Sequence, residues 1–181
     1  MNTKFSLSIL MACACLFFTA CIKDTDFDQA EQIALTPIVE LDLIYFDIQA
    51  NRFFDSINST PVLTVRDTTE IKFLDDGTLQ ESLKRAEFYF KFTNSIPRDF
   101  LVNFQFLSEA NDTTYATGTP VAQGSLAAPV VTEFVENVEG ENILLLTQAH
   151  KVVVSVSIPS SDETLEGNLN LKSKTTYFLE Y

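Results

Sequence analysis

Apolar and polar residues alternate one by one along much of this chain. Ala86, Phe88, Phe90 and Phe92 fall on one face of a period-two pattern, with Arg85, Glu87, Lys91 and Thr93 on the other. Phe100, Val102, Phe104 and Phe106 repeat the pattern after Asn94-Ser95-Ile96-Pro97-Arg98-Asp99, a turn by composition. This predicts two strands, each with one buried face, joined as a hairpin. Residues 39–48 predict another strand: Glu40 and Asp42 sit between apolar neighbours, and Ile44-Tyr45-Phe46 is apolar on both faces, so the strand starts half-exposed and ends buried. Further strands are expected at residues 61–65, 70–74, 113–117, 129–138, 151–158 and 168–181. Turns are expected at Asp75-Asp76-Gly77, Glu109-Ala110-Asn111-Asp112 and Pro159-Ser160-Ser161-Asp162.

One segment breaks the period. Ile143, Leu144 and Leu146 predict a brief helix over residues 141–149. Thr78 and Glu81 have capping-box spacing, but the residues after them alternate like a strand, so at most one turn is expected there. Short strands with at most one short helix predict an all-β fold, a single immunoglobulin-like β-sandwich of about seven to nine antiparallel strands. The last strand alternates through Leu169, Leu171, Thr175, Tyr177 and Leu179 to Tyr181 and resembles the closing strand of outer-membrane barrels. An inward-facing sandwich strand explains the same alternation and agrees with the N-terminal features that follow.

The chain begins with the three parts of a secretory signal: a start bearing Lys4, an apolar middle from Phe5 to Phe18, and small residues before a cut. Thr19 and Ala20 precede Cys21 in a pattern that resembles the lipobox of bacterial lipoproteins, with Phe18 where Leu is usual. Leu10-Met11-Ala12-Cys13 matches the Leu position better. A cut there, however, would leave a very short apolar middle and strand Cys15 to Phe18 beside the lipid. The resemblance implies that Cys21 is the mature N-terminus, acylated on its thiol and amine, and two or more acyl chains anchor a protein almost permanently. Ile22-Lys23-Asp24-Thr25-Asp26-Phe27-Asp28 resembles the acidic export signal of surface-exposed Bacteroidota lipoproteins. It also reads as a solvated tether. The expected organisation is a signal peptide over residues 1–20, a lipidated cysteine and tether over 21–35, and the sandwich over 36–181. The location implied is the outer membrane, lipid-anchored, with the cell surface favoured over the periplasmic face.

Charge narrows the partners. Twelve basic and twenty-five acidic residues give a net charge of −13. Loss of Lys4 with the signal leaves eleven basic residues and −14. Such a surface repels nucleic acid and anionic lipid, so no nucleic-acid partner is expected. All three cysteines lie at or before position 21, which leaves the sandwich without an internal disulfide and dependent on its core.

Catalytic and metal-binding groups are scarce in the sequence. His150 is the single histidine, no Gly-x-Ser-x-Gly or His-Glu-x-x-His occurs, and neither a thiol nor a second imidazole is available for zinc. No cofactor, metal site or catalytic residue is expected, and His150 reads as a junction residue. Asp24, Asp26 and Asp28 alternate like a calcium loop, but Gln29 stands where the loop needs Gly. Binding is the better expectation. Arg52, Phe53 and Phe54 form a candidate partner contact, because aromatic-plus-Arg sets are enriched at interfaces; the competing reading folds the two rings back into the end of the sandwich. Tyr45, Tyr89 and Tyr115 are candidates for stacking on sugars. Asp55-Ser56-Ile57, Asp67-Thr68-Thr69 and Asp112-Thr113-Thr114 resemble the Bacteroidota O-glycosylation acceptor, which makes Ser56, Thr68 and Thr113 candidate attachment sites in expected loops. The leading reading is a non-catalytic lipoprotein serving as an accessory subunit or protein-binding module of an envelope assembly. A glycan- or nutrient-binding lipoprotein comes second, and a small carboxylate-dependent hydrolase third.

Overall fold

Eight long strands build two four-stranded antiparallel sheets: β1 (Ile38–Gln49), β4 (Thr64–Glu70), β5 (Leu83–Asn94), β6 (Phe100–Leu107), β7 (Thr113–Val121), β8 (Val130–Glu139), β9 (Lys151–Ser157) and β10 (Asn168–Leu179). Two-residue strands β2 (Phe54–Asp55) and β3 (Thr60–Pro61) pair with each other beside them. These elements belong to a computed structural model that describes residues 34–181, so Cys21 and the acidic segment after it lie outside the described residues. The first sheet runs β1-β10-β5-β8 and the second β4-β9-β6-β7. The sheets pack face to face without closing into a barrel, which is the all-β sandwich expected. Counting the long strands in chain order gives 1-8-3-6 over 2-7-4-5, the double Greek key of a jelly roll. That connectivity differs from the immunoglobulin arrangement, and the period-two signal is the same for both.

The buried faces are those the alternation marks. Phe88, Phe90 and Phe92 of β5 are fully buried, as are Val102, Phe104 and Phe106 of β6. Rings meet across the sandwich at 4.1 Å for Phe90 and Phe104 and 5.1 Å for Phe88 and Phe106. β5 and β6 are therefore not a hairpin: β5 bonds β10 and β8, β6 bonds β9 and β7, and the Asn94–Asp99 turn carries the chain from one sheet to the other. Residues 61–65 and 70–74, expected as two strands, instead give the single edge strand β4 followed by a 3-10 turn at Lys72–Asp75. Two short α-helices occur where at most one was expected. Gly77–Ser82 starts from Asp76, whose carboxylate accepts from the Thr78 and Leu79 amides, so the cap lies two residues ahead of the Thr78 capping box. Glu141–Leu146 is the brief helix expected within residues 141–149.

The apolar run in β1 has a different meaning from burial on both faces. Pairing to β10 shifts by one residue between Asp42 and Tyr45, a β-bulge that reverses which side chains face inward. The Ser173 hydroxyl holds the bulge, accepting from the Ile44 amide at 2.9 Å and donating to the Ile44 carbonyl at 2.8 Å. Before the bulge Val39 and Leu41 pair with inward-facing Tyr177 and Thr175; after it Phe46 and Ile48 pair with inward-facing Leu171 and Leu169. Tyr45 is thereby left 68% exposed on the outer face.

One end of the sandwich is tied by buried polar groups. Asn94 accepts from the Ile96 amide at 2.8 Å and donates to the carbonyls of Arg98 and Ala122 at 2.9 Å each. Ser95 exchanges hydrogen bonds with the Asn168 backbone. Two glycines let the chain pass close to this turn. A Cβ on Gly124 would stand 1.9 Å from the Asn94 carbonyl oxygen, and Gly167 (φ 106°) would place one 2.5 Å from that of Ser95.

Candidate binding site

The two open sides of the sandwich are treated differently. At one side the edge strands β7 and β8 are bridged by Glu136, which accepts from the Tyr115 hydroxyl and, at 3.0 Å, from Thr117 Oγ1. Burial, and then this bond to a carboxylate, holds the Tyr115 phenol above its ordinary pKa. Tyr115 is thus an internal clasp and not a ring available to stack on a ligand.

At the other side the edge strands β1 and β4 leave a cleft of about 420 Å³. Its floor is apolar: Phe46 and Ile48 from β1, Val65 from β4, and buried Val154 and Val156 from β9. The β1 bulge supplies two of those side chains, since without the change of parity Tyr45 and Asp47 would face inward instead. The rim is polar and includes Arg52, Arg66, Asp47 and Asp67. Neither arginine forms an ion pair among the described residues, although the molecule is strongly acidic. Two flanking edge strands, an apolar floor and a rim of two arginines and two aspartates together suit an extended polypeptide that carries apolar and charged side chains.

The sequence candidates separate in space. Arg52 lies within the 3-10 turn Ala50–Phe53 and stands exposed on the cleft rim. Phe53 is buried (0% exposed) with its ring 5.5 Å from that of Phe100, and Phe54 is half-buried in β2. Phe53 is therefore corrected from contact to core: apolar burial plugs the sandwich end, as the competing reading had it. The alternation did not single out Arg66, Val65, Val154 and Val156 as site residues. Arg66 fell in an expected loop, and the valines read only as core.

Of the candidate acceptors, Ser56 is exposed in the β2–β3 turn and Thr113 is exposed at the start of β7. Thr68 is exposed in the middle of β4 instead of in the loop expected there. The Asp55 carboxylate beside Ser56 accepts from the Asn58 side chain and from the Asn58 and Ile57 amides, which holds its pKa below the usual value. Tyr45 and Tyr89 lie on the outer face of the first sheet, two strands apart. His150 Nδ1 is 2.9 Å from Asp75 Oδ1, both half-exposed in a shallow depression that also reaches Ser108; no hydrogen bond joins His150 to Ser108 among the described residues. Among the described residues no group of three or more His, Cys, Asp or Glu is placed to hold a metal, and no helix is long and apolar enough to cross a membrane.

No protein-family model matches this chain, and no curated protein matches it. Solved structures similar to it include a Parabacteroides distasonis ATCC 8503 protein described as secreted (TM-score 0.48, 14% identity, 63% of this chain and 37% of that one). Others are the infectious bursal disease virus VP2 subviral particle (TM-score 0.48, 7% identity, 80% and 32%) and the enzymatically active domain of bacteriophage CBA120 tailspike protein 4 (TM-score 0.40, 12% identity, 80% and 19%). The chain spans less than two-fifths of the length of each. The fold assignment rests on the strand order described above.

Proposed function

We propose that this chain is a non-catalytic lipoprotein of the outer membrane, anchored through acylated Cys21, whose sandwich is a protein-binding module or accessory subunit of an envelope assembly. The partner contributes an extended segment with apolar and charged side chains, an acidic one among them for Arg52 and Arg66, to the cleft between β1 and β4. The observation that carries this reading is the open cleft itself: one side of the sandwich is bridged by Glu136, whereas the other exposes an apolar floor between two strand edges under Arg52 and Arg66. Edge strands left open are templates for pairing with another chain, and rim charges select the partner and speed encounter. The N-terminal lipid and acidic tether would hold the module at a membrane.

The test is affinity capture of the full-length lipidated protein from native membranes after mild crosslinking, with quantification of what is recovered. The expected result is one envelope protein at near-equal stoichiometry, reduced about tenfold or more by the pair Arg52→Glu and Arg66→Glu. Equal recovery with this variant would refute the assignment of the cleft, and recovery of the chain alone would refute the accessory-subunit reading.

A further inference from the structure

We propose that the outer face of the β4-β9-β6-β7 sheet is a binding surface for a neutral glycan chain. Strand register brings Arg66, Ser155, Asn103 and Gly118 into a single row across the four strands. Ser157 stands in the row to one side and Gln105 in the row to the other. Together they line a trough of about 470 Å³.

Three features separate this face from an ordinary solvated sheet. First, most of its hydrogen-bonding groups are unused, the exception being the Ser157 hydroxyl, which bonds Thr64 Oγ1 at 2.9 Å. Ser155 is only 9% exposed at the floor, and its hydroxyl has no partner among the described residues; the side chains of Asn103, Gln105 and Arg66 make no side-chain hydrogen bond among those residues either. Second, the three rows contain no carboxylate in a chain that has twenty-five. The outer face of the other sheet carries Glu40, Glu87 and Glu133, which pair with Lys174, Arg85 and Lys91. Third, the floor is kept open by a glycine. A Cβ at position 118 would stand 2.5 Å from Asn103 Oδ1 and 2.8 Å from the Val102 carbonyl oxygen.

The Ser155 and Ser157 hydroxyls, two carboxamides and a guanidinium present donors and acceptors at the strand and residue spacings of a sheet, over roughly 10 by 14 Å. Exposed Leu101 lies in the same face and offers an apolar contact for the C–H side of a sugar ring. These groups suit a polyol of several linked rings. Neutrality follows from the field of the whole molecule, because a net charge of −13 opposes a polyanion. The proposal is independent of the cleft; Arg66 borders both surfaces, so the test leaves it unchanged.

The experiment is affinity electrophoresis of the full-length chain in mild detergent, in native gels containing soluble starch, yeast mannan or laminarin, with polygalacturonate as the anionic comparator. At least one neutral polysaccharide should retard the protein. The double variant Asn103→Ala with Gln105→Ala, and separately Ser155→Val, should each weaken retardation about tenfold or more with melting unchanged. Arg52→Glu, on the cleft rim, should leave it intact. The proposal is overturned by an absence of retardation in every neutral gel, by retardation that the folded double variant retains in full, or by retardation in polygalacturonate alone.

Discussion

Asn94 uses both side-chain N–H donors and its carbonyl oxygen inside the protein, on one amide and one carbonyl of its own turn and on the Ala122 carbonyl of a second segment. Replacing it with alanine leaves those buried groups unpartnered, at a cost of about 2–4 kcal/mol, and lowers the melting temperature by about 5–10 °C. Differential scanning calorimetry checks this, and an unchanged transition would refute the role given to the turn. A second residue-scale effect concerns pH. Burial pushes the Tyr177 phenol up to about 12, whereas an unfolded tyrosine ionises near 10. Between these values the folded state holds the proton that the unfolded state has lost, so stability falls as pH rises through the interval, on the order of 2–3 kcal/mol in all. Tyr115 is shifted in the same direction. Denaturant unfolding at about pH 8 and about pH 11 should show the decline, and Tyr177→Phe should reduce it.

Strands carry the next level of the account. β10 lies between β1 and β5 and pairs along its length with both, and the Tyr177 ring stacks 4.4 Å from Phe73. Deleting residues 177–181 removes buried Tyr177 and Leu179 from the middle of a sheet and should abolish the folded soluble domain. Recovery of a normal cooperative melt would contradict the topology. The element scale also shows what could be read in advance. Phe88, Phe90, Phe92, Phe104 and Phe106 announced their burial, because alternation depends only on which face a strand hides. It carries no information on which edges bond, so β5 and β6 looked like a hairpin although their aromatic faces stack across the sandwich. The run Ile44-Tyr45-Phe46 likewise looked like a strand buried on both faces. It is a change of parity enforced by Ser173, a residue 129 positions from Ile44 in sequence, which no local pattern discloses. The cleft floor depends on that change, and so the site was illegible for the same reason as the bulge.

For the whole molecule, the proposed role combines an acidic sandwich with one open side and a proposed lipid on Cys21. Arg52 was legible as a candidate because it stands beside two aromatics in a polar connection, yet the cleft it borders is assembled from β1, β4 and β9, whose side-by-side placement arises only with the jelly-roll order. The anchor is tested by fractionation: Cys21→Ser should move the protein from the membrane to the soluble fraction, and unchanged membrane retention would contradict anchoring through that residue. The cleft is tested most directly by placing a photoreactive amino acid at Asn51, on its rim, in the full-length protein expressed in its native envelope, with Val131 on the opposite edge strand as the comparison. The account predicts one discrete envelope protein crosslinked from position 51 and not from position 131; no adduct from position 51, or the same adducts from both positions, would contradict it.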